Sequence, residues 1–179
     1  MNNRVLKIIM SFIGLALLQV LVCSRINFMG DINPYVYVIF ILLYPVINNR
    51  LLFIFLGFLL GYTVDVFLDS GGVHAAASVV IAYVRPLFLK FSFGAAYDYQ
   101  AIKFSAVEFS RRFIYFLLLI VIHHLILFSL VVFDETKTGL ILQQALYSSI
   151  FSLVLCLHLS SLFSRKETLE KYFFLDWSF

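Results

Sequence analysis

The chain has 179 residues, of which 63% are apolar and 13% are charged, with a formal net charge of +3 and a mean hydropathy of +1.00. A soluble domain carries about 45–50% apolar and about 25% charged residues, and a disordered chain is poorer still in apolar side chains, so both classes are excluded. What fits is an all-α integral membrane protein forming one polytopic domain, its apolar content close to that of six spans of about 20 residues.

Six apolar runs follow one another, near 5–23, 34–47, 51–68, 73–91, 113–133 and 140–163. The first ends Val22-Cys23-Ser24-Arg25 without a small-x-small cleavage site, so it is expected to stay as an anchor. The second is the shortest, reaching about 21 Å as a helix against a hydrocarbon core of about 30 Å. It is expected to cross by tilting or in a thinned region, with a re-entrant segment as the alternative. Pro45 and Asn48-Asn49-Arg50 separate it from the third run.

With the N-terminus inside, ten of the thirteen Lys and Arg residues fall on the cytoplasmic side. Arg25 and Lys137 fall outside, and Arg85 lies within the fourth run. That bias predicts cytoplasmic N- and C-termini. The loops are too short for a soluble domain. Aromatic and basic residues alternate in Ser92–Arg112, and Tyr172-Phe173-Phe174 with Trp177 ends the chain; both segments suit the headgroup plane. A nucleic-acid partner is not expected, because there is no dense basic stripe away from the apolar runs.

Gly57, Gly61 and Asp65 are spaced by four and share one face of a helix, with Asp69 one turn further on. Two glycines so placed allow a second backbone to approach closely. A carboxylate on the same stripe needs water, a cavity or a partner. Asp69-Ser70-Gly71-Gly72 reads as a tight turn whose glycines take positive φ, making runs three and four an antiparallel hairpin. Ala75, Ala76, Ala77 and Ser78 supply small residues for packing against the glycines. Arg85 precedes Pro86, deep on the inner half of run four and too far from Asp65 to pair with it. Either it snorkels to the headgroups or it meets a buried partner.

Of the four histidines, His123 and His124 point about 100° apart on one helix, a poor metal pair, and at least one His is expected to bond a neighbouring helix. Cys23 and Cys156 read as small buried residues. No nucleophile–base–oxyanion set, phosphate loop or metal motif is present, so no enzyme activity, cofactor or metal is expected.

The stretch Gly57-x-x-x-Gly61-x-x-x-Asp65, followed by Ser70-Gly71-Gly72-Val73-His74-Ala75-Ala76-Ala77 and Ile81-Ala82-Tyr83-Val84-Arg85-Pro86, resembles the rod shape-determining protein MreD family. Size and short loops agree over the whole chain, while family-specific residues cover only about 57–86. The resemblance implies a multi-pass protein of the bacterial cell (inner) membrane. Its fold would be similar to the substrate-binding subunits of energy-coupling-factor transporters. Its role would be that of a non-enzymatic scaffold in the cell-elongation complex, helping organise lateral peptidoglycan synthesis and cell shape. Implied partners are an MreC-like single-span protein and, through it, an MreB-like filament and RodA-type wall synthases with their penicillin-binding partner. In that reading Gly57, Gly61 and Asp65 wall a partner-binding groove with Asp69 and His74 on its rim, and Arg85 belongs to the same set. The alternative is a small-molecule-binding subunit of a vitamin-type transporter, but the A-x-x-x-A face expected on its first helix is missing.

Overall fold

The computed structural model describes residues 3–26, 32–45, 49–94 and 107–175, with side chains throughout except at 3–4, 135 and 163–175. The expected interfacial segment Ser92–Arg112 falls largely outside these residues, as do Trp177 and the side chains before it. The described residues form α1 (Asn3–Leu21), α2 (Val38–Leu43), α3 (Arg50–Leu68), α4 (Val73–Phe93), α5 (Phe109–Val132) and α6 (Thr138–Leu175), with no strand among them. Short 3₁₀ turns lie at Cys23–Arg25 and Glu135–Lys137. Five segments are long and apolar enough to cross a membrane: Val5–Arg25, Arg50–Leu68, Val73–Phe93, Phe109–Val132 and Thr138–Leu162. They coincide with five of the six apolar runs.

The remaining run behaves differently. Where the sequence predicts a span over 34–47, the helix has only six residues. Every residue from Val36 to Leu42 is at most 4% exposed. A segment apolar all round belongs inside a bundle, and α1, α4, α5 and α6 surround this one. Pro45 sets its end: the residue before a proline is pushed out of the helical region, and Tyr44 has ψ 135°. Its C-terminal boundary is therefore a consequence of sequence, and its burial a consequence of having no polar face.

Helices α3 and α4 form the expected hairpin. Asp69, Gly71 and Gly72 all have positive φ (52°, 70° and 94°), which reverses the chain within the predicted tetrad. Gly61 is where the backbones come closest, since a Cβ built there would lie 2.5 Å from the His74 carbonyl oxygen and 2.6 Å from Ala75 Cα. At Gly57 the corresponding distance is 3.3 Å, to Ala82 Cβ. Ala75, Ala77 and Ser78 are buried, whereas Ala76 faces outward. Between α5 and α6, Asp134 accepts bonds from the Thr136 N–H (3.0 Å) and hydroxyl (2.6 Å), with Lys137 Nζ at 3.4 Å. The Thr136 hydroxyl and N–H, with Lys137 beside them, hold the Asp134 carboxyl below its ordinary value.

Candidate functional site

A helix of six residues cannot satisfy most of its own terminal backbone groups, and no water is at hand inside an apolar bundle. Here side chains from four other helices supply the missing partners. At the start of the segment, Gln19 of α1 accepts from the N–H groups of Val36 (2.8 Å) and Tyr37 (3.4 Å) through Oε1. Its Nε2 donates to the Pro34 carbonyl at 3.2 Å. The Tyr35 N–H donates to Ser152 Oγ of α6 at 2.8 Å. At the other end, Arg85 of α4 donates through Nη2 to the carbonyls of Leu42 (3.1 Å) and Tyr44, and through Nε to the Tyr115 hydroxyl of α5 at 2.9 Å. Tyr115 in turn donates to the Leu42 carbonyl at 3.0 Å.

Arg85 is 3% exposed and its guanidinium carbon lies 5.0 Å from the centre of the Phe53 ring. It therefore does not snorkel, and the buried-partner reading is the one realised. The free carbonyls it uses, those of Leu42 and Tyr44, come from the end of α2. Oriented carbonyl dipoles and an aromatic face are the groups that stabilise a guanidinium away from water.

Between these two ends lies a cluster of rings. His124 and Ser152 have a determined hydrogen pattern. The Ile120 carbonyl can only accept, so His124 Nδ1 carries the hydrogen in their 2.7 Å contact. Nε2 of the neutral ring is then bare and accepts from the Ser152 hydroxyl at 3.0 Å, while Ser152 accepts from Tyr35. Next to it, the Tyr37 hydroxyl touches His123 Nε2 at 2.7 Å and His74 Nδ1 at 3.1 Å, joining α2, α5 and α4. The Tyr35 ring packs against His74 and His124, each with centroids 5.3 Å apart. Tyr37, His123 and His124 are fully buried and His74 is 3% exposed. Thus three of the four histidines bond neighbouring elements or helices, and His158 is exposed on α6.

Asp65 accepts from the N–H groups of His74 (3.0 Å) and Ala75 (2.8 Å) and from the Ser70 hydroxyl (2.6 Å). It caps the start of α4 from across the hairpin, where an anion also complements the helix dipole. The carboxylate thus finds its partners within the chain. Gly57 and Gly61 lie on the same face, closed by α4, so the groove expected there is filled by the protein itself. Among the six residues singled out in the sequence, Gly57, Gly61, Asp65 and His74 meet at the hairpin. Asp69 is exposed at the turn and Arg85 lies at the far end of the seam.

Sequence reading passed over Gln19, Tyr35, Tyr37, Tyr115 and Ser152. Gln19 had a usable signal, being the only amide side chain in the first apolar run. Serines and tyrosines are common in membrane helices, and nothing in the spacing of the other four marks them. No group of three or more His, Cys, Asp or Glu among the described residues is placed to hold a metal ion. No protein-family model, curated protein or solved structure matches this chain.

Proposed function

We propose that this protein is a non-enzymatic membrane scaffold of the bacterial cell-elongation complex, docking an MreC-like single-span protein. Through that partner it would act on an MreB-like filament and on RodA-type wall synthases. The observation that carries the reading is the hairpin of α3 and α4. The residues on which the MreD resemblance rests are the ones at its closest contacts: Gly61 against Ala75, Gly57 against Ala82, and Asp65 on the first amides of α4. A motif with that job marks a fold, and a rigid hairpin is what a scaffold needs. Since α4 already fills the glycine face, the docking surface belongs on the outward faces of the bundle. Helix α1 is the least covered, exposing Val5, Ile9, Met10, Ile13 and Leu17 along its length.

Six crossings with both termini in the cytoplasm belong to the same proposal. The buried segment passes from Tyr37, beside His74, to Tyr44, beside Arg85, a drop of about 16 Å along α4 at 1.5 Å per residue. That course would carry the chain back across much of the bundle between α1 and α3, making the number of crossings even. The ten-to-two charge bias then puts the N-terminus inside.

Gentle detergent purification of the tagged protein from its native membrane, followed by mass spectrometry, tests the assignment. Recovery of a single-span coiled-coil partner with wall synthases supports it. Recovery of a transmembrane coupling subunit with ATPases replaces it with the vitamin-transporter reading. A tag at the end of the chain that outside protease removes would overturn the six-crossing topology.

A further inference from the structure

Arg50 opens α3 and is exposed, yet its side chain does not reach away from the bundle. It turns inward along α4: Nη2 donates to the Tyr83 carbonyl at 2.9 Å, and the guanidinium carbon lies 4.7 Å from the centre of the Tyr83 ring. Gly57 packs between Ser78 and Ala82, so Tyr83 stands level with a point about five residues along α3 from Arg50, roughly 7 Å deeper in the bundle. The accepting carbonyl lies in the turn of α4 that Pro86 leaves one donor short. Tyr83 is 60% exposed, so the pinned guanidinium sits on the outer surface and not in the core. Leu87 and Lys90, four and seven residues further on, continue the same exposed face of α4. Among the described residues neither Arg50 nor Lys90 is paired with a carboxylate. The one carboxylate side chain described at this end of the bundle, Glu108, lies 3.7 Å from Arg111.

We propose that Arg50 and Lys90, with Tyr83 and Leu87 between them, form a seat for the headgroup of an anionic phospholipid. Two cations without an internal counter-ion stand on a surface that the bilayer covers, and the anion available there is a lipid phosphate. The guanidinium keeps N–H donors beyond the one given to Tyr83, and its planar fork suits phosphate oxygens. Lys90 is about 10 Å from Tyr83 along α4, close enough for its four-carbon stem to reach the same headgroup from the other side. Beside the two cations, Leu51 and Phe91 are 80% and 73% exposed and offer apolar surface to the acyl chains. A zwitterionic headgroup brings its own cation, which the second basic group repels, so the seat selects a headgroup of net negative charge. A basic group close to an anionic lipid surface favours binding about fivefold, and two of them roughly 25-fold. The seat requires only that the bundle lie in a bilayer and is independent of the scaffold reading.

Native mass spectrometry of the full chain, purified in detergent and titrated with phosphatidylglycerol or phosphatidylcholine of identical acyl chains, tests the seat. The expected result is a first-lipid affinity for phosphatidylglycerol roughly 25-fold above that for phosphatidylcholine. Arg50→Gln and Lys90→Gln should each cut that preference about fivefold. Lys137→Gln removes a cation from the opposite end of the bundle and should leave the preference unchanged. The Lys90 side chain makes no hydrogen bond or ion pair among the described residues, so Lys90→Gln keeps the test decisive even if Arg50→Gln fails to fold. Equal affinity of the wild type for the two lipids would overturn the seat. So would a preference that Lys90→Gln leaves intact, or one that Lys137→Gln reduces to the same extent.

Discussion

Replacing Gly61 by alanine adds one methyl group where the hairpin has no space for it. The new Cβ would sit 2.5 Å from the His74 carbonyl oxygen, 2.6 Å from Ala75 Cα and 2.7 Å from Ala75 N, all of them backbone atoms that cannot rotate aside. Ordinary contact lies near 3.5 Å, so α3 and α4 must part by about 1 Å. Asp65, one turn further along α3, holds its two amides at 2.8 and 3.0 Å. The same displacement would stretch both beyond about 3.5 Å, where they cease to be hydrogen bonds. Overpacking costs about 1–3 kcal/mol, and losing hydrogen bonds to a charged group costs about 1.5–3 kcal/mol each. Alanine returns about 1 kcal/mol through helix propensity. With some of the bonding kept by local adjustment, the expected loss is about 3–5 kcal/mol. Two other glycines provide the scale. Gly57→Ala meets Ala82 Cβ at 3.3 Å, which a few tenths of an ångström relieves, and should cost about 1 kcal/mol or less. Gly14→Ala meets nothing within 4 Å and should be neutral or stabilising by up to about 1 kcal/mol. Steric trapping in bicelles measures the three unfolding free energies under one condition. A Gly61→Ala value within about 1 kcal/mol of Gly14→Ala would refute the close approach and, with it, the account of Asp65 as a cap.

Four other outcomes follow from the seam. Asp65→Asn places an amide NH₂ where one of two backbone N–H groups needs an acceptor, at a cost of about 2–4 kcal/mol, and should speed hydrogen exchange at His74 and Ala75; unchanged exchange there would contradict the cap. Gln19→Leu leaves the amides of Val36 and Tyr37 and the Pro34 carbonyl unpaired and should cost about 2–4 kcal/mol, read from the same unfolding assay. Arg85→Met and Tyr115→Phe share the Leu42 carbonyl, so their effects should be non-additive by about 1 kcal/mol or more in a double-mutant cycle, and additivity would separate them. The Asp134 carboxyl is held below its ordinary value, so its stabilising effect is complete above the unfolded carboxyl range and is lost as pH falls through the lower folded value. Amide exchange at Thr136 should accordingly quicken only on that acid side in the wild type, and show no such step in Asp134→Asn.

Five spanning helices could be read from the sequence because length and hydropathy alone define them. The glycine face and its hairpin were legible too, since i, i+4 spacing and a Gly-Gly turn are local signals. What sequence could not give was the occupant of that face: a helix of the same chain and a partner's helix present the same small residues. The second run was left between two readings for a related reason. Fourteen apolar residues fit a short tilted span as well as a buried segment, and the choice depends on whether other helices supply caps for its ends. Those caps, Gln19, Ser152, Arg85 and Tyr115, lie far apart in the chain. Arg85 announced itself most plainly, because a cation in an apolar run must be accounted for, and even there the partner carbonyls had no sequence signature.

The bond between the Tyr35 amide and Ser152 joins residues 117 positions apart. At about 5–20 residues per second of synthesis, the buried segment is made about 6–23 s before the serine that accepts from its Tyr35 amide exists. During that interval its amides have Gln19 on one side and nothing from α6 on the other. The segment therefore cannot be a finished transmembrane unit when it leaves the ribosome; it has to wait, at the bilayer surface or beside the insertion machinery, for the last long helix to arrive. Assembly of this bundle is thus obliged to end where α6 shuts over α2, and chains cut short before Ser152 should be recognised by quality-control proteases as incomplete even though their first four long helices are intact.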